Sequence, residues 1–163
     1  MIKKLILITT LFSTYLFAQQ TNLTIEVQPV TDSGANWETT LSWSMQNAVE
    51  TGVLFELPTG LKMVPLAVRI NQNDMLLQNT SETPSDESVV SWDLSPQGIM
   101  LFFRPGQINS GDQIEVKTMS TLIKNHLDEN PTITMRAVQK NNQDLQISET
   151  IESSANITLE IEN

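Results

Sequence analysis

The sequence predicts an all-β fold, an antiparallel sandwich of about eight to ten strands with at most one short helix. Three observations predict it. Apolar and polar residues alternate with a period of two along most of the chain. Turn-forming clusters punctuate the alternation roughly every 8 to 15 residues. Only MSTLIKNHLDEN offers a helical stripe, through Leu122, Ile123 and Leu127.

The strands follow in order. NLTIEVQPV places Leu23, Ile25 and Val27 on one face, and WETTLSWSM does the same with Leu41, Trp43 and Met45. VVSWDL aligns Val90, Trp92 and Leu94. DQIEVKT contributes Ile114 and Val116, and PTITMRAV contributes Ile133, Met135 and Ala137. NITLEIE closes the set with Ile157, Leu159 and Ile161. Such alternation marks strands with one face on a core and the other in water. TGVLFELP and GIMLFFRP are apolar on both faces and read as central strands or strands covered on the second face. The intervening TDSGAN, PTG, NQND, SETPSDES, SPQG, PGQINSGD, DENP and KNNQD are turns. TPSDES is expected to be the mobile loop. In FELPTGLKMVP, Pro58 cannot donate a ladder hydrogen bond, and Gly60 can take the positive φ of a tight corner. Pro58 and Gly60 therefore form a structural corner that ends one strand and begins the next.

The N-terminus reads as an export signal. Lys3 and Lys4 precede an apolar stretch from Leu5 to Phe17 and then Ala18, the n-region, h-region and small residue of a secretory signal peptide over residues 1–18. The stretch is short of the roughly 20 apolar residues of a membrane span. Residues 19–163 are one domain's worth of chain. With no cysteine, that domain relies on packing rather than disulfides, and thiol nucleophiles and thiolate metal sites are excluded. Removing Lys3 and Lys4 takes the net charge from −10 to −12. That field opposes nucleic acid and anionic lipid. The expected location is bacterial and exported: periplasm, cell surface or exterior.

A resemblance joins these elements. Leu57, Pro58, Gly60 and Leu61 are followed by Val90, Trp92 and Leu94, then by Gly111, Ile114 and Val116. This order resembles the conserved repeat domain of bacterial cell-surface proteins, an Ig-like family of unknown function, over roughly residues 22–120. The resemblance implies an Ig-like sandwich serving as a stalk, spacer or adhesive module. GIMLFFRPGQ and residues 121–163 add strands to that pattern.

Chemistry-bearing residues are few. His126 is the single histidine, and no triad, zinc or phosphate-loop motif surrounds it. Asp86/Glu87 and Asp128/Glu129 are the adjacent acid pairs that glycoside hydrolysis would draw on. Asp32, Asn36, Asn71, Asn73, Asp74, Asn109 and Asp112 are loop oxygens without calcium-loop spacing. Asn22, Asn79 and Asn156 open glycosylation sequons. Trp37 follows a turn and is the candidate ligand-binding platform for a sugar ring. Trp43, Phe55 and Trp92 are assigned to the core. Tyr15, the one tyrosine, lies in the signal segment. The reading is a non-enzymatic envelope or secreted interaction module (adhesin, stalk or assembly component) without cofactor or metal. Its partner is another envelope or surface protein. A carbohydrate-binding module, and a hydrolase or enzyme inhibitor, are the alternatives.

Overall fold

The computed structural model describes residues 23–30, 36–45, 51–123, 130–141 and 144–159. Ten strands cover most of them: β1 (Thr24–Pro29), β2 (Asn36–Ser44), β3 (Gly52–Glu56), β4 (Leu61–Ile70), β5 (Asn73–Asn79), β6 (Val89–Ser95), β7 (Gly98–Phe102), β8 (Gln113–Leu122), β9 (Thr132–Asn141) and β10 (Asp144–Asn156). They form one curled sheet in the order β1-β2-β8-β4-β5-β6-β7-β3-β9-β10.

The fold-over happens within β5. Residues 73–75 pair with β4, whereas residues 76–79 pair with β6. The sheet thereby doubles into two layers, β1-β2-β8-β4 and β6-β7-β3-β9-β10, with β5 as the hinge strand. The far edges approach one another as well, where the Leu23 N–H donates to Ser153 Oγ at 2.9 Å. Inward positions of both layers meet in one core that includes Leu41, Trp43, Phe55, Met63, Leu101 and Met135. Trp43 and Phe55 pack edge to face with centroids 5.1 Å apart, the geometry that the ring quadrupoles favour. β2 and β8 keep strict alternation, as expected of strands with one dry face.

Among the described strands every pairing is antiparallel except β5–β6, which is parallel. Parallel neighbours need a crossover, and residues 80–88 supply it. This explains why β3 and β7 are apolar on both faces. Leu54, Met100, Phe102 and Val138 form a second buried cluster, with Ile147 packed against it. The Lys140 ammonium stands 5.9 Å from the Phe102 ring centroid and donates to Ser81 O at 2.7 Å. Pro84 in the crossover is buried. At the other end, Gln107 Nε2 donates to the Glu87 and Val89 carbonyls. TPSDES, expected as a mobile loop, belongs to this anchored crossover.

Two other expectations change. The helix expected over 119–130 begins as the end of β8, which runs to Leu122; residues 124–129, with His126 and Leu127, lie outside the described residues. β6 does not bury Leu94. Val90 is buried and Trp92 is half-buried against the core, but Leu94 is 54% exposed. The reason is the early end of β5: Asn79 pairs with Trp92, and β6 continues without a neighbour on that side.

β10 is longer than its sequence suggests. Its pairing with β9 slips between Ile147 and Ile151 and again between Ile151 and Ser153. Arg136 of β9 holds this irregular stretch. Its Nε donates to Glu56 Oε2 at 2.9 Å, and its Nη1 donates to the carbonyls of Ser148 and Glu149.

The β4–β5 hairpin turns at Asn71 and Gln72, with φ of 50° and 68°. Two positive φ values are the mark of a type I′ turn, which favours Asn-Gly. Asn71 suits its place; Gln72 does not. A side chain in the left-handed region costs about 1–2 kcal/mol, and glycine costs about 0.5–1 kcal/mol in unfolded-state freedom. Gln72→Gly is therefore expected to stabilise the protein by about 0.5–1 kcal/mol, read as a higher urea midpoint at unchanged slope.

Candidate functional site

The Pro58 and Gly60 corner opens the site. The Leu61 N–H donates to Pro58 O at 3.1 Å, and Gly60 has φ of 92°. A positive φ at the third residue defines a type II turn and disfavours any residue with a Cβ. Two bonds fasten the corner to its surroundings. Leu57 N–H donates to Gln97 O at 2.9 Å, and Ile123 N–H to Gly60 O at 2.7 Å. The β6–β7 turn facing it is held by Ser95, whose Oγ accepts from the N–H groups of Gln97 and Gly98.

Between the corner and the β6–β7 turn lies a groove of about 380 Å³. Leu57, Met63 and Val64 line it from the corner and β4, Leu94 from β6, and Ile123 from the end of β8. Leu94, Ile123 and Val64 are 54%, 56% and 41% exposed. Leu66, shifted out of register by the irregularity between Pro65 and Ala67, adds a further exposed apolar side chain on β4. Leu94, Ile123 and Val64 thus gather exposed apolar surface around one groove rather than scattering it. Lys62 is the one ionisable lining residue among those described, and it forms no ion pair with another described residue.

Trp37 is placed differently from the expectation of an exposed ring. It is 2% exposed, because it shares the inward face of β2 with Thr39, Leu41 and Trp43. It lines a second groove with Ile25 and Val27 of β1 and Asn156 and Thr158 at the chain's far end. A ring so covered has no open face on which a pyranose could stack. Trp43 and Phe55 are buried, and Trp92 is half-buried.

The loop oxygens do converge in part. Asn71, Asn109 and Asp112 meet, but they satisfy one another. Asp112 Oδ1 accepts from Asn71 Nδ2 and Oδ2 accepts from the Asn109 N–H, both at 2.7 Å. Asn71 Oδ1 takes the Gln113 N–H at 2.9 Å. The Asn71 amide, and then the Asn109 N–H, hold the Asp112 carboxyl below its ordinary pKa. This is a knot that ties the hairpin to the 109–112 turn, built from donors rather than around a cation. Among the described residues no three His, Cys, Asp or Glu side chains gather as metal ligands. Asp86 accepts from the Ser88 N–H and hydroxyl, which lower its pKa, and Glu87 pairs with Arg104 at 3.5 Å. Both serve the crossover's turn. Asp74 pairs with Arg69 at 2.6 Å. Asn36 Oδ1 accepts from Thr121 Oγ1. Asp32, Asn22, Asp128 and Glu129 lie outside the described residues.

A buried hydroxyl cluster escaped the sequence. Ser120 Oγ donates to Thr39 Oγ1 at 2.7 Å, and Thr118 Oγ1 to the Thr39 carbonyl at 3.1 Å. These residues share the inward faces of β2 and β8 with Leu41 and Val116. Their partners are hydroxyls and a carbonyl, so the arrangement satisfies buried polar atoms and has no base to activate a nucleophile.

No protein-family pattern matches the chain, and no curated protein matches its sequence. The resemblance to the surface-protein repeat accordingly stands on the residues that carry it. Among solved structures, the chain is similar to the collagen-binding domain from a Staphylococcus aureus adhesin. The TM-score is 0.49 at 7% sequence identity, covering 83% of this chain and 94% of that one.

Proposed function

We propose that this chain is a non-enzymatic interaction module, exported to the bacterial envelope or beyond, that holds a protein partner through the corner groove. It would act as an adhesin, stalk or assembly component. The observation that carries this reading is the exposed apolar rim of Leu94, Ile123 and Val64 around a groove of about 380 Å³. Burying such side chains contributes roughly 25 cal/mol per Å², and no described element of the chain covers them. The groove suits binding better than catalysis. Its one ionisable group is Lys62, and the Ser95 hydroxyl is engaged in its own turn. The 2% exposure of Trp37 favours a protein partner over a sugar stacked on that ring.

The test is capture from an envelope extract at low and high salt, using the exported chain and its Leu94→Asp and Ile123→Asp variants. Both positions are exposed, so each substitution should shift stability by no more than about 0.5 kcal/mol. A single protein partner that survives high salt with the parent chain and is lost with both variants is the expected result. Capture unaffected by either substitution would remove the groove from the interaction.

A further inference from the structure

The groove is also the place of an interrupted strand. β4 pairs with β8 along its whole length, from Leu61↔Leu122 to Ile70↔Ile114. On its other side it meets β5 only at residues 68–70. β6 pairs with β7 through Ser95↔Gly98, but its pairing with β5 ends at Asn79↔Trp92. The last contact there is the Thr80 N–H to Trp92 O bond of 2.9 Å, after which the chain leaves as the crossover. Residues 61–67 of β4 and 93–95 of β6 therefore lack a second strand neighbour among the described residues, and residues 61–64 and 94–95 line opposite walls of one groove. A straight continuation of β5 would have run between them.

Open strand edges present rows of N–H and C=O groups, and the chemical partner of such a row is another extended backbone. Both edges carry the blunting devices that guard against indiscriminate pairing. Pro65 sits within the open part of β4, and the Asp93 carboxylate accepts the Leu94 N–H at 2.8 Å. Such devices guard an edge against pairing; with the Leu61 N–H also given to Pro58 O, what these edges offer a further strand is mainly their carbonyl oxygens. The groove's polar wall is cationic through Lys62, which forms no ion pair with another described residue, on a chain whose net charge is −10.

We propose that the groove takes an extended segment of the partner protein as an added strand, pairing with the open edges of β4 and β6. Alternate apolar side chains of that segment enter toward Leu57 and Met63, and a carboxylate on an outward position meets Lys62. This rests on the groove being the partner site and specifies what enters it.

The test pans the full exported chain against short peptides. Those enriched are expected to alternate apolar with polar, acid-bearing positions, and to slow exchange at those amides of residues 62–67 that have no partner in the free chain, Pro65 having no N–H. N-methylation of alternate backbone nitrogens leaves every side chain in place but blocks pairing; it should weaken binding roughly fivefold to tenfold per blocked bond. The proposal is overturned if N-methylated peptides bind equally well, if protection falls elsewhere, or if no alternating peptide is enriched. Should one of those occur while Leu94→Asp still abolishes capture of the natural partner, the groove remains a binding site and only strand addition fails. Capture untouched by Leu94→Asp defeats the groove reading itself.

Discussion

Replacing Trp43 with alanine is expected to cost about 3–5 kcal/mol, enough to unfold much of a domain whose total stability is typically about 5–15 kcal/mol. The indole is 2% exposed and joins the two layers. It stands on β2 of one layer and packs edge to face on Phe55 of β3 in the other, 5.1 Å between centroids and 70° between planes. Its Nε1–H donates to Met45 Sδ at 2.7 Å, so the one polar atom is satisfied. Removing the ring leaves a cavity between two sheets whose backbones are fixed by their own ladders and relax little. Trp92→Ala should cost less, because that ring is half-buried at the end of the β5–β6 pairing. Chemical denaturation of the two variants measures the difference. Acrylamide offers an independent check in the parent protein: Trp37 and Trp43 should resist quenching, and Trp92 should carry the quenchable fraction. Equal costs for the two substitutions would contradict the inter-layer role of Trp43.

The all-β class and the inward faces of β2, β8 and the start of β9 were legible because a half-buried strand imposes a period of two on its sequence. TGVLFELP and GIMLFFRP were legible as strands covered twice, although nothing local shows that residues 80–88 and Lys140 lie over the second face. Two strands were hidden. β5 keeps a period of two, with Met75 and Leu77 packed on the core, but its outward position is the apolar Leu76, 66% exposed, so MLLQ shows no alternation in its letters. β10 slips register twice against β9, which breaks the alternation of Ile147 and Ile151. The parallel β5–β6 pair was equally hidden, since pairing direction leaves no trace in a short run.

The site was half legible. FELPTGLKMVP marks the corner, and Gly60 adopts the φ that the sequence implied. What a local pattern cannot register is that β5 ends opposite Trp92. That distant event leaves Leu94 in water and opens the groove beside the corner. The alternation of VVSWDL predicts a buried Leu94, and that failed for this reason. Trp37 failed the other way. Its neighbouring turn suggested exposure, but its even spacing from Thr39 and Leu41 was the stronger signal.

The second large effect falls on a glycine. Gly52 lies at the start of β3, between β7 and β9, opposite Phe102 and Val138. A Cβ there would stand 2.1 Å from the Leu101 carbonyl oxygen and 3.3 Å from the Phe102 Cα. These are backbone atoms of the adjoining ladder, so no side-chain rotation relieves the contact. The strands must separate, and both the main core behind Val53 and Phe55 and the second cluster at Leu54 and Phe102 would part with them. Gly52→Ala is expected to cost about 3 kcal/mol or more, above the usual 1–3 kcal/mol for an overpacked site. Two other glycines calibrate the claim. Gly106 has φ of 79° and open space around it, so its alanine variant pays only for conformation, about 1 kcal/mol. Gly98 would place a Cβ 1.9 Å from Phe55 O and 3.2 Å from Leu57 Cγ. It stands at a hairpin end that can shift, and Leu57 lines the groove. Gly98→Ala should therefore cost less than Gly52→Ala in denaturation yet weaken partner capture, whereas Gly106→Ala should leave capture unchanged. A Gly52→Ala protein as stable as Gly106→Ala would mean that β3 and β7 do not approach as closely as their register requires.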